Sequence, residues 1–149
     1  MKKTIILALV AVIASLVVVW HPSQKKEAEV KDQAMAEMTT EKGDIVRLST
    51  PQKNASITSP LLIKGEARGS WLFEADFPVF LVDWDGRIIA QGLARAQGEW
   101  MTSDYVPFEA TLAFEKPTYK NNGALILKKD NPSDLPEHDD SIEIPILYQ

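Results

Sequence analysis

From residue 44 onward, apolar and polar side chains change places at every step along several stretches of the chain. Phe108, Ala110, Leu112 and Phe114 alternate with Glu109, Thr111, Ala113 and Glu115. In an extended chain this puts one set on a buried face and the other in water. Ile142, Ile144 and Ile146 alternate with Glu143, Pro145 and Leu147 in the same way. Runs at 44–48, 61–67, 79–83, 87–95 and 123–128 also read as strands. Between them stand turn signals: Thr58-Ser59-Pro60, Asp85-Gly86, Asn121-Asn122-Gly123 and Asp130-Asn131-Pro132. Asp85-Gly86, set between two hydrophobic runs, predicts a tight hairpin. No convincing helical stripe appears after Gly43. Seven short strands with turns between them predict an all-β, two-sheet sandwich over 44–149, with a small open barrel as the alternative. Pro145 has no N–H, so its strand should lie at an edge or turn that position away from the ladder.

The first 43 residues obey other rules. Residues 4–20, TIILALVAVIASLVVVW, carry no charge and are preceded by Lys2 and Lys3. At helical rise they span about 25 Å, just long enough for a thinned bilayer core. Residues 1–21 are therefore expected to form a transmembrane anchor, with Trp20 at the interface. A cleaved signal peptide is the alternative, disfavoured because cleavage after Ala14 would leave an apolar new terminus. Lys2 and Lys3 favour an outside location for the domain beyond the anchor. Residues 22–43 are charged and rich in Ala, Glu, Lys and Met, so they read as a polar stalk with some helical tendency. A short dimerising helix through Val30, Ala34 and Met38 is the alternative there.

Charge and cysteine content narrow the chemistry. Lys2 and Lys3 are the only charged side chains before His21, which leaves 14 basic and 21 acidic side chains beyond it, a net of −7. Such a surface repels phosphate backbones, so no nucleic-acid partner is expected. With no cysteine, disulfides, thiolate nucleophiles and zinc–sulfur sites are excluded. His138 is the only histidine in the domain, and neither a Gly-x-Ser-x-Gly elbow nor a Gly-rich phosphate loop follows a strand. The expectation is a domain that is not an enzyme and carries no cofactor.

Three dense blocks add a likeness. They are GEARGSWLFEADFPV at 65–79, GEWMTSDYVPF at 98–108 and DNPSDLPEHDDS at 130–141. In order and wording they resemble the immunoglobulin-like domain of bacterial spore-germination proteins, from about Ile45 onward. The resemblance implies an immunoglobulin-like sandwich, exported and membrane-associated, that binds or scaffolds without known catalytic residues. The companion domain often found beside it in germination proteins has no counterpart here.

Several side chains are candidates for contact with a partner, either an envelope protein or a cell-wall glycan. Arg68 and Glu74 flank Trp71-Leu72-Phe73; they read as a loop-fixing ion pair, or as a recognition loop in which Arg68 grips an anion. Trp71, Trp84, Trp100 and Tyr105 read as core or rim packing, or as a stacking platform for sugars. Trp84, beside the Asp85-Gly86 turn, is the best placed for exposure. Asp130, Glu137, His138, Asp139 and Asp140 crowd one loop with Asp134. They read as turn caps, with a metal site as the alternative.

Overall fold

The structure, a computed structural model, describes residues 34–149. Nine strands run in chain order: β1 (Ala36–Thr39), β2 (Ile45–Thr50), β3 (Ser56–Ile57), β4 (Leu61–Arg68), β5 (Asp76–Asp83), β6 (Ile88–Ala96), β7 (Tyr105–Leu112), β8 (Asn122–Lys128) and β9 (Ser141–Tyr148). The only helical pieces among the described residues are two single turns of 3-10 type, Gly69–Trp71 and Pro136–His138. The apolar segment 4–20 and the transmembrane helix expected there lie outside the described residues. No helix among the described residues is long and apolar enough to cross a membrane.

All seven strands expected from alternation are present, within a few residues of the expected ends. The sheet order is β1-β2-β4-β7-β6-β5-β8-β9-β3, one continuous ladder in place of two separate sheets. The join is narrow: β6 meets β7 only at Arg95↔Glu109 and Ala96↔Phe108. On either side of this join the sheet curls, and both halves send side chains into one core. Val46, Leu48, Ile63, Val106 and Phe108 come from one half; Phe77, Val79, Leu81, Leu125, Leu127, Ile144 and Ile146 come from the other. Period two fixes this facing, because a slip of one residue would turn every core side chain outward.

Two strands depart from the expected set. β3 is two residues long, too short to show periodicity, and pairs parallel with Leu147 and Tyr148. β1 lies inside the segment that reads as a stalk and pairs with β2 through Ala36↔Leu48 to Thr39↔Ile45. Helix-favouring composition is overridden here by packing: Met38 rests against the core and Thr40 is buried. The Thr40 hydroxyl donates to Asp140 at 2.6 Å and accepts the Asp44 N–H at 3.0 Å. Gly43, at φ +86°, supplies the left-handed residue this hairpin needs. The apparent end of a linker is a β-turn. Residues 22–43 thus give their last part to the sheet.

Pro145 behaves as its chemistry requires. Its carbonyl accepts from Asn54 N–H, and Leu147 N–H donates to Ala55, so odd-numbered residues of β9 offer their backbone to the β3 flank. β3 covers that flank only at positions 147 and 148, so no ladder bond is lost at 145.

Core placement generates two predictions. Leu112 is buried and Thr111 exposed. Leu112→Ala should lower stability by about 2–5 kcal/mol and Thr111→Ala by a few tenths, read from denaturant midpoints. Tyr148 is buried, and its hydroxyl donates to the Val82 carbonyl at 2.8 Å. Burial, with the charge of Asp83 adding to it, pushes this phenol up from 10.0 to about 12. The neutral form is favoured in the fold, so the stabilisation is complete below pH 10 and is lost as pH rises through about 12. Tyr148→Phe should be less stable at neutral pH, and the gap between the two proteins should close across that alkaline window.

Candidate functional site

Trp71 anchors one end of the fold. It closes the single turn after β4, is fully buried, and meets Phe77 edge to face at 5.9 Å; Phe77 in turn meets Phe108 at 4.9 Å. Its indole N–H donates to Asp44 Oδ2 at 2.9 Å, and the same oxygen pairs with Lys129 at 3.3 Å. The Trp71 carbonyl accepts Asp130 N–H at 3.0 Å. Gly69 N–H donates to Asp104 O at 3.1 Å, and a side chain at Gly69 would strike the Trp100 and Thr102 carbonyls. Trp71 is therefore a core plug and no part of an open stacking platform, which corrects its candidacy as a contact residue.

The remaining candidates fall into separate places. Arg68 forms no ion pair with Glu74; its guanidinium donates to the Ser103 carbonyl at 3.1 Å and stands 4.0 Å from the Tyr105 ring centroid. Arg47 stands 3.8 Å from the same centroid. Two guanidinium groups so close to one centroid cannot share a face, so the ring is clasped between them. Arg47 also binds Glu37 at 2.9 Å and Glu66 at 3.4 Å, and these carboxylates favour its charged form. Tyr105 is thus covered on both faces and offers no platform to a sugar. Glu74 is exposed on a turn where it and Ala75 take positive φ. Trp100 is half-buried against the core. Trp84 is exposed, as its place beside the turn implies, and packs edge to face on Tyr119 at 5.5 Å. Lys120 Nζ lies 3.8 Å over the Trp84 ring.

The acidic loop is organised around an amide. Asn131 Nδ2 donates to the Leu135 carbonyl at 2.9 Å and to Asp139 Oδ1 at 3.0 Å, which fixes the orientation of the side chain. Its oxygen therefore accepts, taking the Ser133 N–H at 3.2 Å and the Ser133 hydroxyl at 2.6 Å. With that proton committed, Ser133 Oγ must accept from His138 Nδ1, 2.9 Å away. A histidine that donates to a serine is not poised to activate it. The Asn131 amide, helped by Lys128 and Lys42, holds the Asp139 carboxyl below the usual range. Asp140 is buried and bound to Thr40 and to Ser141 N–H. Lys42 donates to the carbonyls of Pro136 and Glu137 at 2.9 and 2.7 Å, so an ammonium group caps this turn of the loop. Among the described residues no three His, Asp or Glu side chains converge as a metal-binding group. Of the candidate set, the side chains of His138, Asp139 and Asp140 are engaged in hydrogen bonds to the protein itself, while Asp130 and Glu137 take part through their main chains.

A surface not singled out from the sequence stands on the other half of the sheet. The inner face of β5 carries Phe77, Val79 and Leu81, but its outer face carries Pro78, Phe80 and Val82. In β8, Ala124 and Ile126 lie behind the core-facing Leu125 and Leu127. The register sets Phe80 beside Ile126, and Val82 beside Ala124, with Pro145 of β9 next in the row. A groove of about 380 Å³ opens over this face, lined by the apolar Trp84, Ile126 and Pro145 together with the polar Asp83, Asn122 and Glu143. The signal was present in the sequence as a loss of alternation: FPVFLV and ALIL are apolar on both faces.

The chain is thus an all-β module that carries an outer groove of mixed apolar and polar lining and a hydrogen-bonded acidic loop. The family model for the immunoglobulin-like domain of bacterial spore germination matches residues 45–135, more than half of the chain, and the protein belongs to that family. The first two sequence blocks lie wholly inside the matched span, and the third enters it as far as Leu135. No curated protein and no solved structure matches the chain.

The loop geometry sets a third prediction. A bound metal would stabilise the fold by mass action, whereas hydrogen bonds within the loop do not respond to chelator. Melting temperatures in excess chelator and in millimolar calcium should coincide, for the native chain and for Asp139→Ala alike.

Proposed function

We propose that this protein is a non-catalytic immunoglobulin-like binding module, held on the outer side of a bacterial membrane by its N-terminal apolar segment, with a protein as its partner. The observation that carries this reading is the apolar outer face of β5 and β8. A strand apolar on both faces belongs to a sheet covered on both sides; here Val82 and Ala124 are buried on the outer face, Phe80 and Ile126 beside them are left half-buried, and the rest of that cover is absent among the described residues. A partner surface would supply it. The anchor and the outside location rest on the sequence of residues 1–21 and on the family resemblance. A glycan partner is less well supported. Sugars stack on open aromatic faces, but Tyr105 is clasped, Trp71 is buried, and Trp84 has a lysine over its ring.

The reading is tested by capture of membrane proteins on the anchored chain, with the captured protein identified and its binding remeasured in isolation. Ile126→Glu places a charge in the groove and should weaken that binding at least tenfold with little change in melting temperature. Trp84→Ala should leave co-sedimentation with isolated cell wall unchanged. Loss of cell-wall binding in Trp84→Ala, with capture intact in Ile126→Glu, would replace the protein partner by a glycan.

A further inference from the structure

β6 is the strand through which the two halves of the sheet are joined, and most of one edge of it is unpaired. It pairs with β5 along nearly its whole length, but with β7 only at Arg95 and Ala96. Beyond that point β7 turns away: Phe114 N–H donates to Ser59 Oγ at 2.9 Å on the side remote from β6. Between the diverging strands lies a cleft of about 600 Å³, lined by Ile89, Ala113, Phe114, Glu115 and Lys116. Ile89, Ala90 and Phe114 are only partly buried where they pack on the core, so the core is thinly covered along this side.

The backbone at this edge is oriented for pairing. Gln97 N–H donates to the Pro107 carbonyl of β7, and Ala96 N–H donates to Ala75 on the other side. Alternation then turns the N–H and C=O groups of Leu93 and Gln91 toward the cleft, where no strand of the described residues pairs with them. Edge strands are usually blunted by a charge, a proline or extreme shortness. Residues 88–94, IIAQGLA, have neither charge nor proline, and Ile88 and Leu93 are 54% and 46% exposed. Charge appears only at the two ends, in Arg87 and Arg95, neither of which forms an ion pair among the described residues.

We infer that the β6 edge is a strand-addition site, which takes an extended segment of a partner protein into the cleft between β6 and β7. The segment has apolar side chains at alternate positions and a carboxylate at each end, about 24 Å apart at strand rise because β6 carries an extra residue opposite Leu81 and Val82, to meet Arg87 and Arg95. A second copy of this chain is the poorer occupant: antiparallel self-pairing centred on Gln91 sets Arg87 against Arg95 at both ends. The inference rests on the protein-binding reading above but uses a different surface, so the two fail separately.

The probe is a capped eight-residue peptide, Glu-(Val-Thr)3-Glu, presented to the full-length chain in mild detergent, with a Lys-ended version as control. The Glu-ended peptide should bind at least tenfold more tightly than the Lys-ended one. It should also slow amide exchange at Gln91 and Leu93 at least tenfold. In Arg87→Glu/Arg95→Glu the preference should reverse, a readout that needs only a folded protein, which circular dichroism checks. Absence of binding, binding that leaves exchange at 91 and 93 unchanged, or protection of these amides by self-association without peptide would each overturn the inference. If Ile126→Glu abolishes capture while the peptide fails, the module reading stands and strand addition falls. If the peptide binds while Ile126→Glu has no effect on capture, the outer-face reading falls and strand addition stands.

Discussion

Burying one tryptophan at the end of a curled sheet obliges three distant stretches of chain to meet. Trp71 has an apolar body and one N–H, and a buried N–H needs an acceptor. Asp44 provides it, and Asp44 is in turn neutralised by Lys129. The Trp71 carbonyl needs a donor and finds Asp130, while the turn that delivers the ring is pressed so tightly on the 100–104 loop that only glycine fits at 69. The three sequence blocks that carry the family likeness therefore lie around one side chain. Their residue choices look like the vocabulary of a binding loop, but they serve to close the core.

This explains why the fold was more legible than the site. Strands declare themselves by alternation, and β4, β7 and β9 alternate almost without exception. Side-chain role has no such period. Trp71 and Trp84 are the same residue type at comparable distances from a turn, and one is buried while the other is exposed. Only the partner of each ring tells them apart, and that partner is 27 residues away for Trp71. Arg47, which clasps Tyr105 from a strand far off in sequence, was invisible for the same reason. β1 escapes the pattern because four residues are too few to show a period, and because Ala, Glu and Met favour helix until a neighbouring strand is there to pair with. The outer groove was legible in principle: where alternation stops inside a well-marked strand, the second face also has something to meet.

The two halves of the sheet divide the work. On β2, β4 and β7 the outward face is salted with paired charges: Arg47 with Glu37 and Glu66, and Lys64 with Glu109. Exposed pairs of this kind add little stability each, but they keep the face soluble and unattractive to other strands. On β5 and β8 the middle of the outward face is apolar, at Phe80, Val82, Ala124 and Ile126, and the β6 edge carries charge only at its two ends, in Arg87 and Arg95. The two halves therefore present different chemistry to their surroundings, one closed over by ion pairs and the other left partly apolar.

Tyr148 and the strand that carries it also set a timetable. β9 lies between β8 and β3 and brings Ile142, Ile144, Ile146 and Tyr148 into the core, and its last residues pair with β3, whose positions 56 and 57 were made long before. No amount of local order earlier in the chain can close the core without these side chains. Until residue 148 has left the ribosome, the polypeptide lacks an inner strand and its two hydrogen-bonded flanks. Topologies of this kind, ruled by pairings remote in sequence, also form slowly once all parts are present. Until β9 is in place β8 is the edge of the sheet, so closing the core is the last step of assembly and not the first.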